Sequence, residues 1–285
     1  MDPVPLKPAE TSHTDARVKI YFLPNVLTGA NLFCGFVALT KIVEWTPGTE
    51  RGYKDIIVAL LFILAACIFD LLDGRVARMG GAESPFGREF DSLADIISFG
   101  VAPAFLVYRI VLKDVFVQHP EFGWFIASIY LLCGAFRLAR FNCLAALAGT
   151  GGGREFLGFP IPAAAGLVSS LTLFMIWWDG KEFPKANWRF ALPVIMVFLS
   201  WMMVSEVKYP TFKKLDFKAT KTFTATLIAV LFIGGVFVLQ EKLLYWVLPL
   251  FFITYLIYGF IRPHVSRKVR EEISDEDDDE DGTPA

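Results

Sequence analysis

An all-α, polytopic transmembrane bundle of about eight spans is the fold the sequence predicts, and three observations carry it. The 285 residues are 55% hydrophobic and include 28 Phe, at a mean hydropathy of +0.51, whereas a soluble domain of this length carries more charge and less apolar surface. The apolar residues fall into stretches near the roughly 20 residues that cross a bilayer core. Short charged segments separate them, with the basic residues unevenly divided between alternate loops. That composition excludes a soluble enzyme and offers no sign of a nucleic-acid partner.

Residues 1–20 are polar and lack the basic start, apolar run and cleavage site of a signal peptide. They are expected to form a polar tail. Eight apolar segments follow, near 24–45, 55–73, 93–112, 123–147, 160–178, 190–206, 222–240 and 243–261. Six spans therefore fall in residues 21–215 and two more in 216–263. Pro24, Pro160 and Pro162 stand near helix starts, where a missing N–H is harmless. Trp124, Trp177, Trp178 and Trp188 sit at segment ends, as interfacial aromatics do. Residues 264–285 form an acidic tail: 271–281 alone hold nine carboxylates, and without them the chain has 27 basic against 20 acidic residues. Such a block reads as solvated and is given no catalytic role.

An even number of spans puts both termini on one side. With that side cytoplasmic, 18 of the 27 basic residues face the cytoplasm and nine the opposite face, which favours cytoplasmic termini. Cys34, Cys67, Cys133 and Cys143 lie in apolar segments without paired spacing and are expected to be small buried hydrophobes. His13, His119 and His264 form no ligand-like group.

The chemistry lies between Asp70 and Asp95, in DLLDGRVARMGGAESPFGREFDSLAD, expected where one apolar helix ends and the next begins. Asp70 and Asp73 are three apart, Asp91 and Asp95 four apart, so each pair shares a helix face. Carboxylates at membrane depth are costly unless they pair, bind a cation or line a wet cavity. Hard oxygen ligands in this number suit Mg²⁺ or Mn²⁺, and two such ions could clamp a pyrophosphate. Gly74 would let a phosphorylated ligand approach the backbone, and Arg78 offers a bidentate fork to phosphate oxygens. The alternative reading is an ion-coupled transporter in which the acids relay charge.

Asp70, Asp73, Gly74, Ala77, Arg78, Gly87, Asp91 and Asp95 fill the pattern D-x2-D-G-x2-A-R-x8-G-x3-D-x3-D. This is similar to the signature of the CDP-alcohol phosphatidyltransferase family. PNVLTGANLFCG (24–35), SFGVAPA (98–104), FRLARFN (136–142), FLGFPIPAAA (156–165) and MVSEVKYPTF (203–212) further resemble the serine-using branch of that family, so the likeness covers about residues 20–215. It implies a helical bundle, usually a homodimer, with its site open to the cytoplasmic leaflet of a bacterial-type inner membrane. It implies CDP-diacylglycerol and L-serine as substrates, with phosphatidylserine and CMP as products. Asp70, Asp73 and Asp91 would hold two divalent cations, while Asp95 would bind one and act as general base. Gly74, Arg78 and Ser84 match positions that contact the CDP moiety, in a signature that also includes Ala77 and Gly87. A sibling activity on glycerol 3-phosphate or inositol phosphate is the alternative within the family.

Two further groups are read from their chemistry. Thr28 and Asn31 share one face of the first apolar helix and could hydrogen-bond the nucleotide, or simply bond within the bundle. Arg137, Arg140 and Asn142 end the fourth segment on the side of the aspartates. An arginine there could bind the serine carboxylate or anchor to lipid phosphate.

Overall fold

The computed structural model describes residues 21–79, 84–147, 156–178, 190–209 and 245–258. Among these residues, five helices are long and apolar enough to span a membrane. They are α1 (Phe22–Glu44), α2 (Glu50–Met79), α3 (Pro85–Val115), α4 (Pro120–Leu147) and α5 (Ile161–Trp178). Two shorter apolar helices, α6 (Ala191–Val204) and α7 (Tyr245–Tyr258), occupy the sixth and eighth expected segments. The seventh, 222–240, lies outside the described residues, as do Trp188 and both terminal tails.

The packing follows membrane logic, with small or polar residues facing inward and bulky apolar ones facing lipid. Helix α1 buries Thr28, Asn31, Cys34, Gly35, Ala38 and Ile42 on one stripe, while Phe33, Phe36 and Val43 are exposed. Helices α3 and α5 form the centre: 67% of each apolar window is buried, against 33–39% in α1, α2 and α4. Two close approaches set the register of the central helices. A Cβ on Gly35 would strike the Ser98 side chain and come within 2.8 Å of its Cα, and one on Gly134 would strike Ile161.

Helix α3 is continuous but widens into π-type turns at Ile96–Val101 and Tyr108–Leu112. Pro103 lies two residues beyond the first of these turns and cannot donate to the carbonyl four residues back. That carbonyl belongs to Phe99 and accepts instead from the buried Tyr130 hydroxyl at 3.2 Å. The fully buried Tyr130 of α4 therefore compensates a backbone bond lost beside the site.

At one end of the bundle, a two-residue antiparallel ladder pairs β1 (Phe156–Leu157) with β2 (Lys208–Tyr209), in the register Phe156↔Tyr209 and Leu157↔Lys208. Gly158 follows at φ +78°, a left-handed conformation that only glycine adopts cheaply. Its N–H donates to the Val207 carbonyl at 3.0 Å, and a Cβ there would collide with the Met203 carbonyl.

Two expectations need correction. The aspartates do not sit where helices end and begin: α2 continues nine residues past Asp70 and α3 starts ten before Asp95. Helix propensity and the N-cap at Ser84 extend both helices beyond their apolar stretches. The cysteines carry no disulfide, but only Cys34 is buried: Cys67 and Cys133 are half-buried, and Cys143 is exposed on an outward face of α4.

Candidate active site

Helices α2 and α3 are antiparallel in sequence order around the site, and at about 1.5 Å per residue their carboxylates form two layers. Asp70 and Asp95 lie about 14 Å in from the helix ends, Asp73 and Asp91 about 9 Å in. The start of α3 is fixed locally. Ser84 is its N-cap, with Oγ accepting from the Gly87 N–H at 3.0 Å, and Pro85 occupies the first turn.

Ligand atoms of Asp70, Asp91 and Asp95 all lie within 4.8 Å of one another. Asp73 stands beside them, buried, with Oδ2 accepting from Thr28 Oγ1 at 2.8 Å. Asp95 is also buried and accepts at Oδ1 from Asn31 Nδ2 at 3.1 Å. Asp91 Oδ1 is buried without a hydrogen-bond partner. Among the described residues, no lysine or arginine forms an ion pair with any of the four. Clustered carboxylates with no salt bridge to a lysine or arginine and with an orphaned oxygen are a donor set fitted to divalent cations.

A cavity of about 160 Å³ adjoins this cluster. Its wall includes Asp73, Gly74, Ala77, Arg78, Ser84, Gly87 and Asp91, so seven signature or CDP-assigned positions meet at one opening. Gly74 and Gly87 keep that wall low, and Arg78 is exposed at its edge. Thr28 also lines it, whereas Asn31 does not.

Sequence reasoning missed Tyr21, Asn25, Arg88 and Phe141, which line the same cavity. Asn25 is the most telling, because its Nδ2 is buried with no partner. A signal was available: Asn25, Thr28 and Asn31 recur every three residues on α1 and so share a face.

The three acceptor-side candidates separate. Arg140 Nη1 and Nη2 donate to the carbonyls of Val204 and Ser205, at 2.9 and 3.1 Å, capping the end of α6. Asn142 Nδ2 donates to Ser92 Oγ at 2.9 Å and ties α4 to α3. Arg137 is buried, with its Nε unpartnered and its charge acting on Asp95 and Asp70.

Fold and site together define a membrane-embedded helical protein whose acidic cluster opens on a phosphate-sized cavity between its first three helices. The CDP-alcohol phosphatidyltransferase family profile matches residues 21–207, and the chain belongs to that family. It is similar to the CDP-diacylglycerol–serine O-phosphatidyltransferase of Helicobacter pylori, 36% identical over 85% of this chain and 91% of the relative. The Bacillus subtilis protein of the same name is 32% identical over 68% of this chain and 92% of its own. An archaetidylserine synthase of Methanothermobacter thermautotrophicus is 34% identical over 66% of this chain and 69% of its own.

Proposed function

We infer that this integral membrane protein transfers the phosphatidyl group of CDP-diacylglycerol to the hydroxyl of L-serine, releasing CMP. The observation that carries the reading is the Asp70–Asp91–Asp95 cluster beside a cavity walled by Gly74, Arg78 and Asp73. The serine synthases among its relatives, matching most of both chains, support the acceptor.

Two Mg²⁺ or Mn²⁺ ions held by Asp70, Asp73, Asp91 and Asp95 would neutralise the pyrophosphate and the charge developing on departing CMP. The protein's own groups do the rest. Gly74 and Gly87 let the nucleotide diphosphate lie against backbone, and Arg78 offers a two-pronged donor to its oxygens. Asp95 takes the proton of the serine hydroxyl as the new O–P bond forms to the phosphorus bearing diacylglycerol, and the P–O bond to CMP breaks. A free hydroxyl is barely ionised at neutral pH, so proton removal must accompany attack.

For the serine carboxylate, the supported partner is Arg137: buried, near Asp95, with an unpartnered Nε. Arg140 and Asn142 already spend their donors on α6 and α3. The basic asymmetry of 18 to nine supports cytoplasmic termini and a site facing the cytoplasmic leaflet of a bacterial inner membrane. A homodimer completes the reading. The test is CMP release by purified protein given CDP-diacylglycerol and, in turn, serine, glycerol 3-phosphate, inositol phosphate and ethanolamine. Turnover only with serine supports the assignment; turnover with a phosphorylated acceptor, or none in any arm, overturns it.

A further inference from the structure

Helix α1 supplies no carboxylate to the site, yet two of its buried side chains each donate to one. Thr28 Oγ1 reaches Asp73 Oδ2 at 2.8 Å and Asn31 Nδ2 reaches Asp95 Oδ1 at 3.1 Å. The donors are 3% and 0% exposed. Their backbone is held as firmly as their side chains. Ser98 Oγ donates to the Asn31 carbonyl at 2.9 Å. Gly35, one turn on, lies so close to Ser98 that an added Cβ would meet its Cα at 2.8 Å. Helix α1 therefore cannot slide or rotate against α3 without breaking the bond to Asp95.

A direct nucleotide contact fits these residues poorly. Asn31 is fully buried and is not part of the cavity wall. Thr28 does line the cavity, but its single hydroxyl proton has Asp73 and the Pro24 carbonyl, at 3.2 Å, as acceptors. A carboxylate with one oxygen tied by a rigid donor cannot spin, and its other oxygen stays available for an ion or an incoming proton. Such outer donors orient ligating groups and commonly change activity or metal affinity by about 10- to 100-fold.

We propose that Thr28 and Asn31 are positioning residues of the transfer reaction, each fixing one oxygen of Asp73 and Asp95 respectively. This rests on the four aspartates forming the metal and base set. The test uses the near-isosteric variants Thr28→Val and Asn31→Leu in the full-length protein, alone and combined with Asp73→Asn and Asp95→Asn. The measurements are steady-state kinetics, Mn²⁺ titration followed by calorimetry, CMP affinity at saturating Mn²⁺, and thermal midpoint.

Each single variant is expected to lower kcat by about 10- to 100-fold and to weaken Mn²⁺ binding, while CMP affinity at saturating Mn²⁺ stays at the parent value. In the Asp73→Asn background Thr28→Val should weaken Mn²⁺ binding no further, and Asn31→Leu should add nothing to Asp95→Asn, since residues acting through one partner are not additive. If Asn31→Leu does not fold, Asn31→Ser keeps a small polar group and should show the same pattern, less severely. Parental kcat, additive losses, or CMP affinity falling in step with kcat would overturn the proposal. If Asp73→Asn and Asp95→Asn are themselves active, the metal-and-base reading fails. If they are inactive while Thr28→Val and Asn31→Leu turn over normally, only the positioning role fails.

Discussion

Replacing Asp91 with Asn should stabilise the metal-free protein and remove most of its stabilisation by Mn²⁺. Ligand atoms of Asp70, Asp91 and Asp95 share a sphere in which none is more than 4.8 Å from another, without an ion pair to a cation. Two unit charges at that separation repel by about 3.5 kcal/mol at an effective dielectric near 20. Asp91 belongs to two such pairs, and because 4.8 Å is the widest separation among them, full ionisation loads it with at least about 7 kcal/mol of repulsion before any relaxation. Local rearrangement in the chelated wild type recovers much of that, leaving an expected gain of about 1–3 kcal/mol, or several degrees in thermal midpoint. In the wild type, an ion present at a hundred times its dissociation constant returns about 2.7 kcal/mol. The variant, one ligand short and with Asp91 Oδ1 no longer anionic, should gain little. The assay is thermal unfolding by intrinsic fluorescence in detergent, in EDTA and across a Mn²⁺ titration. The two midpoint curves should cross, with the variant higher in chelator and the wild type higher in metal. A variant less stable than wild type in EDTA, or one raised equally by Mn²⁺, would refute the view that these carboxylates are held together for a cation.

Three further outcomes are expected. Gly74→Ala should fold normally, because its Cβ meets only the Arg78 side chain, at 3.4 Å. It should still raise KM for CDP-diacylglycerol by at least about tenfold, the scale of a group obstructing a bound phosphate; unchanged KM would remove Gly74 from the nucleotide site. Arg137→Lys should raise KM for serine and leave that for CDP-diacylglycerol unchanged, since a lysine restores charge but not the two-pronged geometry. Arg140→Ala should instead lower stability by about 1–3 kcal/mol through two lost charge-assisted bonds to α6, measured as a midpoint shift; a serine-specific KM effect there would reassign it. Cysteines placed at Glu89 and Ser274 should resist an impermeant maleimide in intact cells and react after lysis, and labelling of both from outside would invert the topology.

Much of this protein is legible in one dimension. Apolar stretches of spanning length follow from the cost of exposing backbone and charge to hydrocarbon, so α1 to α5 fall on the first five expected segments. The Asp70/Asp73 and Asp91/Asp95 pairs share faces because helical periodicity alone places residues three and four apart side by side. The signature's fixed spacing carried the family. Helix ends were less legible, since the hydropathy that marks a span says nothing about how far a helix runs beyond it, as at Met79 and Pro85.

What only the tertiary structure decided is the register between helices. Nothing local to Thr28 or Asn31 shows that they meet Asp73 and Asp95; that depends on the close seating of Gly35 against Ser98. Nor does FRLARFN reveal that Arg140 is engaged by the end of α6 while Arg137 turns inward. Both arginines lie on one helix at adjoining turns, and the difference comes from what α6 and the Gly158 loop bring beside each. Side chains along one helix are placed by its own geometry, whereas partners across helices are chosen by how closely two backbones approach, and that is set by packing over the whole bundle.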